Sequence, residues 1–390
     1  MKIPLRILGL ALFAAATLAL PPASWPQKHD SYYLVYVGTY TTKQTSKGIY
    51  AYNFNAATGQ LTSIGLAAES TDPSFVAVHP NGKYLYAVNE VGDFNGMQSG
   101  AVTAFAIDPK SGALKLLNQV STHGAGPCFV SLDKTGRFVL VANYDGGSVA
   151  TFAIQDDGSL SLVKGFVQHS GSSVDKERQQ APHAHWIGVS PDNRFALVAD
   201  LGLDDVMVYK LDDVRGGLTP NSPPFAQMKP GSGPRHLAFH PNGKFAYVVN
   251  EMASTVTALA YSAQKGSLSA LQTLPMLPQD YSGVREAAEI AVHPSGKFLY
   301  ASNRGTANSI AAYKIDAVKG TLTAAGAFST KGMIPRNFAI DPTGAFLLAA
   351  NQDSGNIVVF RIDATTGALT PTDQVEQVPA PVCITFGPLE

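Results

Sequence analysis

Residues 73–90 read PSFVAVHPNGKYLYAVNE, and residues 234–251 read PRHLAFHPNGKFAYVVNE. Each segment runs from a proline through a short apolar stretch into a Pro-Asn-Gly-Lys turn. It leaves the turn through a second apolar stretch that ends in Asn-Glu. Turn residues set between two short apolar runs specify an antiparallel hairpin. The pattern recurs as PCFVSLDKTGRFVLVANY from Pro127, AHWIGVSPDNRFALVADL from Ala184, AAEIAVHPSGKFLYASNR from Ala287 and PRNFAIDPTGAFLLAANQ from Pro335.

A second module follows each hairpin. It is a strand alternating apolar with small or polar residues, then a turn, then Gly-x-Leu leading into a fourth strand. GIYAYNFNAATGQL from Gly48 is its first copy and GNIVVFRIDATTGAL from Gly355 its last. The chain holds seven of these modules but only six intact hairpins. The missing hairpin is divided between the two ends of the chain: PVCITFGP from Pro381 matches its first strand and YLVYVGT from Tyr33 its second. Four strands per unit, seven units and one unit shared by both ends predict an all-β, seven-bladed β-propeller. Each blade has four antiparallel strands, and the N- and C-terminal strands close the ring by sharing one blade. Closure also removes the open sheet edges that an unclosed array would expose. The expected domain is a single one over residues 32–390, almost without helix.

Composition agrees with a folded domain. Of 390 residues, 45% are apolar and 15% charged, enough apolar surface for a large core. The formal net charge is -1 and no run of five like charges occurs, so nucleic acid and polybasic membrane contact are excluded as partners. Length alone suggests two or three domains; the repeat count replaces them with one.

The N-terminus bears on compartment. Lys2 and Arg6 precede an apolar run from Ile7 to Leu20, followed by Pro21, Pro22, Ala23 and Ser24. That order predicts a secretory signal peptide over residues 1–23, cleaved near Ala19 or Ala23. The run is shorter than the roughly 20 residues of a spanning helix. An exported protein, periplasmic or secreted, is expected, a monomer without stable membrane contact after cleavage. Cys128 and Cys383 fall on equivalent strands of blades that are not neighbours, which predicts two buried free thiols rather than a disulfide.

Propeller geometry converts the register into a site. With strands a to d counted outward from the axis, the a-to-b turns lie on one face. The d-to-a and b-to-c connections emerge on the other, around the channel mouth. The position just before strand a holds Ser74, Cys128, His185, Arg235, Ala288, Arg336 and Val382, with Glu289 one step on. The position just after strand b holds Thr39, Glu90, Tyr144, Leu201, Glu251, Arg304 and Gln352. His183, His185, Arg235, Glu251, Glu289, Arg304 and Arg336 are expected to face one pocket, with a local excess of arginine. Guanidinium forks bind carboxylate or phosphate, so the pattern suits an anionic small molecule. Histidine and glutamate can move protons beside them. Salt bridges holding adjacent blades together are the alternative reading of the same residues.

Asn89, Asn143, Asp200, Asn250, Asn303 and Asn351 end strand b in six units. Such near-symmetry predicts caps on the b-to-c turns rather than a calcium site. His79, His240 and His293 sit in His-Pro-x-Gly turns on the far face and are expected to be structural hydrogen bonders. A Gly-x-Ser-x-Gly elbow, a phosphate-binding glycine loop and zinc-type Cys/His spacing are all missing from the sequence. No metal and no cofactor is expected.

Several motifs together carry a resemblance: YVGTYT near Tyr36, SKGIYAY from Ser46, APHAHW from Ala181, GPRH from Gly233, the VNE ending at Glu251, AAEI from Ala287 and SNRG from Ser302. Over Tyr33 to Gly387 the chain resembles the seven-bladed propeller lactonase family, which includes the propeller-type bacterial 6-phosphogluconolactonases and the fungal carboxymuconate cyclases. The resemblance implies a metal-independent carboxylic ester hydrolase with its site at the channel mouth. It places the catalytic residues at His185 (or His183), Arg235, Glu251 and Arg304, with substrate binding expected from His183, Glu289, Arg336 and Glu90. Arg235 and Arg304 would orient the substrate and offset charge on the carbonyl oxygen, while Glu251 or His185 would activate water. A phosphorylated gluconolactone is made inside cells, so the export signal sets an unphosphorylated aldonolactone or another anionic lactone beside it. A carboxymuconate-type lactonizing cyclase is the second enzyme reading. A non-enzymatic exported propeller that binds a small ligand or a partner protein is the third reading.

Overall fold

The computed structural model describes residues 1, 32–42 and 44–389. Apart from Met1, the expected signal peptide lies outside the described residues. Twenty-eight strands, numbered in chain order, form seven four-stranded antiparallel sheets, and no helix occurs among the described residues. The first blade has the order β28 (Pro381–Leu389), β1 (Tyr32–Thr39), β2 (Gly48–Asn55), β3 (Gln60–Glu69). The last strand of the chain thus pairs with the first, through Val35 with Phe386 and Val37 with Ile384. The other six blades follow consecutively. Their innermost strands are β4 (Val76–Val78), β8 (Pro127–Leu132), β12 (Ala184–Val189), β16 (Pro234–Phe239), β20 (Ala287–Val292) and β24 (Pro335–Ile340).

The core lies between the blades. Seven apolar clusters each join residues of two adjacent blades, including the pair that closes the ring. At that closing interface Phe54 meets Phe346 edge-on at 5.7 Å and Phe386 at 5.5 Å. Face-to-edge rings of this kind add to the area they bury. The Gly-x-Leu motif has a packing cause here. Gly59 (φ 81°) and Gly266 (φ 62°) take backbone conformations that favour glycine, and a Cβ at either would strike the ring of Phe346 or Phe195 on the preceding blade.

The turn face is laced by one repeated bond. Nε2 of His79 lies 2.8 Å from the Gly136 carbonyl of the next blade, His240 2.9 Å from Gly296, and His293 2.8 Å from Gly344. In each ring Nδ1 accepts a backbone N–H two residues on, at 3.1 Å, which leaves Nε2 as the donor. The structural hydrogen bonders expected from the sequence prove to bridge adjacent blades. Cys128 and Cys383 are both buried free thiols.

The asparagine ring differs from expectation. Only Asp200 caps its own turn, accepting Gly202 N at 3.0 Å and Leu203 N at 3.2 Å. Asn89, Asn143 and Asn351 instead donate to the carbonyls of Thr71, Thr122 and Thr330 in the incoming d-to-a connections, and Asn250 donates to Thr255 and Thr257. The chemistry explains the split. A carboxylate can only accept and turns to N–H groups, whereas an amide has a donor that satisfies a carbonyl.

Candidate functional site

The pairing register aims the site residues at the axis. The inner position expected just before strand a is the second residue of that strand in most blades. Pairing with strand b skips it: the register jumps from Pro127 to Phe129, Ala184 to Trp186, Pro234 to His236 and Pro335 to Asn337. Cys128, His185, Arg235 and Arg336 are the skipped residues. In blade six the jump runs from Ala287 to Ile290 and frees Ala288 and Glu289. An unpaired residue at such a shift turns its side chain out of the ladder, here toward the channel.

A cavity of about 370 Å³ opens at this mouth. Its walls include Glu90, Cys128, Tyr144, His185, Glu251, Arg304 and Arg336 from the expected ring positions, and also Asp145, Arg178 and Glu286. Arg235 lies below, in a small recess that reaches down to His236 and Asn337. The structure therefore brings His185, Arg235, Glu251, Arg304, Arg336 and Glu90 together. His183 and Glu289 stay off the cavity wall. His183 stacks on the Tyr144 ring at 4.5 Å and its Nδ1 bonds to the Tyr144 carbonyl, so it backs the wall. Glu289 accepts from His236 Nδ1 at 3.0 Å and from the Asn337 amide. Arg235 Nη1 lies 3.2 Å from His236 Nε2, so the same imidazole relays the contact to Arg235.

Glu251 is the hub. Its Oε2 lies 2.9 Å from Arg304 Nη2 and 3.0 Å from Arg235 Nε, and its Oε1 2.7 Å from Arg178 Nη2. The approach to Arg235 Nε is an ion pair without hydrogen-bond alignment, and among the described residues Nε of both Arg235 and Arg304 has no hydrogen-bond partner. Burial acts to raise the Glu251 pKa, but Arg304, Arg235 and Arg178 outweigh it and bring it down to about 2. A carboxylate held this way is a poor base, and its geometry suits it to fixing the three guanidiniums. Arg235, desolvated and facing Arg304 and Arg336, is lowered to about 10 and still charged at neutral pH.

His185 is buried, with Nδ1 3.6 Å from Cys128 Sγ and no hydrogen bond from Nε2 to the described residues. Burial first, then Arg235, hold its pKa well below the usual imidazole value, so it is neutral. Burial pushes the Cys128 thiol well up, which keeps it from acting as a thiolate. Among the described residues Arg336 has no ion pair or side-chain hydrogen bond, and it lies over the Tyr40 ring at 5.3 Å. Glu90 accepts from Tyr40 Oη at 3.0 and 3.1 Å and from Ser74 Oγ.

The expected excess of arginine does not exist. Arg178, Arg304 and Arg336 share the cavity wall with Glu90, Asp145, Glu251 and Glu286. Sequence reasoning missed Arg178, Asp145, Glu286, Tyr40 and His236. Arg178 arrives on the long connection from β11 (Leu160–Gln168) to β12, outside the repeat register; the charged DKER at 175–178 was its only signal. Among the described residues no group of three His, Cys, Asp or Glu stands at metal-ligating spacing.

Comparison with known proteins covers most of the chain. The family described as "Lactonase, 7-bladed beta-propeller" matches residues 34–386. The 6-phosphogluconolactonase of Bacillus subtilis (strain 168) is 39% identical over 355 residues, covering 91% of this chain and 98% of that protein. The 6-phosphogluconolactonase of Formosa agariphila is 37% identical over 343 residues, covering 87% and 95%. Among solved structures, a periplasmic gluconolactonase of Pseudomonas aeruginosa superposes with a TM-score of 0.86 at 35% identity, covering 92% of this chain and 99% of that one.

Proposed function

This chain belongs to the 7-bladed β-propeller lactonase family, and from that premise we propose that it hydrolyses an unphosphorylated, sugar-derived lactone outside the cytoplasm, at the cavity above Arg235. Relatives named 6-phosphogluconolactonase and periplasmic gluconolactonase support a sugar lactone as the substrate class. The apolar run from Ile7 to Leu20 and the periplasmic relative support export.

The observation that carries the reading is the Glu251 hub. Ring opening puts negative charge on the lactone carbonyl oxygen, and Arg235 and Arg304 are buried cations held beside it by a carboxylate that stays ionised. Fixed charge in a desolvated site needs no reorganisation as the oxyanion forms, an effect worth about 10²–10³ in kcat per donor. Arg336, unpaired, suits the carboxylate that appears on the opened product.

The substrate follows from the wall's charge. With Arg235 in the recess, four guanidiniums face four carboxylates, so the site has no net positive charge to favour a phosphate dianion. Asp145 and Glu286 suit the hydroxyls of a polyhydroxy ring, which donate to carboxylates. Hydrolysis of glucono-δ-lactone, its 6-phosphate and a carboxymuconolactone by the purified protein tests this. The highest kcat/KM is expected for the unphosphorylated sugar lactone. Faster turnover of the phosphate would overturn the substrate class, and recovery of every lactone intact would overturn the enzyme reading in favour of a binding protein.

A further inference from the structure

We propose that Glu90, rather than Glu251 or His185, is the catalytic residue that carries the proton in lactone opening, working on a water held in the recess beneath the cavity. This rests on the lactonase reading above and adds a residue to it.

Position is the first argument. Glu90 lines both the cavity and the recess, as do Cys128, His185 and Arg336. The recess offers about 10 Å³, close to the room one water needs. A molecule there has the Glu90 carboxylate, the His185 ring and the Arg235 guanidinium on its walls, polar partners of the kind a held water requires.

Bonding is the second. The two carboxylates at this mouth are held in opposite ways. Glu251 is surrounded by three guanidiniums. Glu90 has no ion pair among the described residues; its partners are the hydroxyls of Tyr40 and Ser74. Hydroxyl donors orient a carboxylate without cancelling its charge, and of its roughly four lone-pair positions at least one stays open. Tyr40, itself fixed beneath Arg336, holds the carboxylate in place.

The charges facing Glu90 agree with this role. Burial raises its pKa, Arg336 opposes that, and Asp145 adds to it; Cys128, His185 and Arg235 complete the surroundings. The net direction is upward, toward the range where a carboxylate both takes and returns a proton. His185, neutral and far below its usual pKa, is a poor base but can hold the water through Nε2.

The step balances. Glu90 takes one proton from water as its oxygen bonds to the lactone carbonyl carbon. The tetrahedral centre collapses, the carbon–ring oxygen bond breaks, and the Glu90 carboxylic acid gives its proton to that oxygen, which becomes the free hydroxyl. The new acid ionises to solvent and Glu90 is again a carboxylate.

The test is steady-state hydrolysis of glucono-δ-lactone by the full chain and its Glu90→Gln variant, across pH. Gln keeps an oxygen for the Tyr40 hydroxyl but cannot take a proton. A fall in kcat of about 10²–10⁴-fold with KM little changed, and loss of the acid limb of the kcat profile, is expected. An active wild type with Glu90→Gln within about 3-fold of it, against the loss expected of a general base, would overturn the proposal alone. A wild type inactive on every lactone would overturn the lactonase reading and this proposal together. Should the Gln variant not fold, Glu90→Asp moves the carboxylate back by one methylene. A lowered kcat with a displaced acid limb is then expected, and an unmoved limb with unchanged kcat would overturn the proposal.

Discussion

The two faces of the ring use the same backbone differently. On the turn face the side chain repeats with the fold: His79, His240 and His293 each bridge to a glycine carbonyl of the next blade with nearly the same distance. At the channel mouth the backbone repeats and the side chain does not. The skipped position of the inner strand is Cys128, His185, Arg235 and Arg336 in four blades, each at the same register shift. Where shape and chemistry recur together, the residue holds the frame. Where shape recurs and chemistry varies, the position is free to carry function.

Four substitutions or conditions press on that contrast, the largest effect first. Glu251→Ala removes the hub at the mouth and leaves Arg178, Arg235 and Arg304 facing one another. Breaking a buried pair from one side costs about 3–5 kcal/mol, so a marked drop in the denaturant midpoint is expected together with loss of hydrolysis. Retained stability would show that the mouth tolerates unpaired arginines. Arg304→Ala withdraws one cation from the carbonyl oxygen; kcat/KM should fall about 10²–10³-fold, with a smaller loss of stability than in Glu251→Ala because Arg178 and Arg235 still pair the carboxylate.

On the turn face, His293→Ala deletes one inter-blade bond and leaves the Gly344 carbonyl without it. About 1 kcal/mol of stability should be lost, as for a single hydrogen bond, with kcat/KM unchanged; a comparable loss of activity would break the division between the faces. Mild acidification gives the smallest effect. The folded pKa of Glu251 is lowered from 4.5 to about 2. The stability from its pairing is therefore complete above the higher value and lost as pH falls through the lower one. Thermal melts should show this contribution intact at mild acidity and lost only toward pH 2. Earlier loss would mean that the arginines do not hold Glu251 ionised.

Much of this was legible in the chain. The hairpin at 73–90 and its five further copies fixed the blades, and the PVCITFGP and YLVYVGT halves fixed the closure. Reading equivalent positions around the ring found His185, Arg235, Glu251, Arg304, Arg336 and Glu90. The register shift was hidden, because proline at the start of strand a marks where the strand begins and not which residue its partner skips. The surroundings of Glu251 were hidden for a related reason. A glutamate after Val-Asn is visible, but the three arginines that lower its basicity come from three separate parts of the chain, one of them Arg178 on an irregular connection. His183 precedes β12 and His185 lies within it: the first backs the cavity wall and the second forms part of it.

The most direct measurement sets one face against the other in a single experiment: kcat/KM and melting temperature for the triple variant H79Q/H240Q/H293Q beside Arg235→Lys. Lysine keeps the charge at the mouth but loses the guanidinium fork. The triple variant should melt earlier and, below its transition, hydrolyse the lactone at the wild-type rate. Arg235→Lys should melt close to wild type and lose about 10²-fold or more in kcat/KM. Full activity in Arg235→Lys, or loss of activity in a triple variant that is still folded, would contradict the assignment of frame to one face and chemistry to the other.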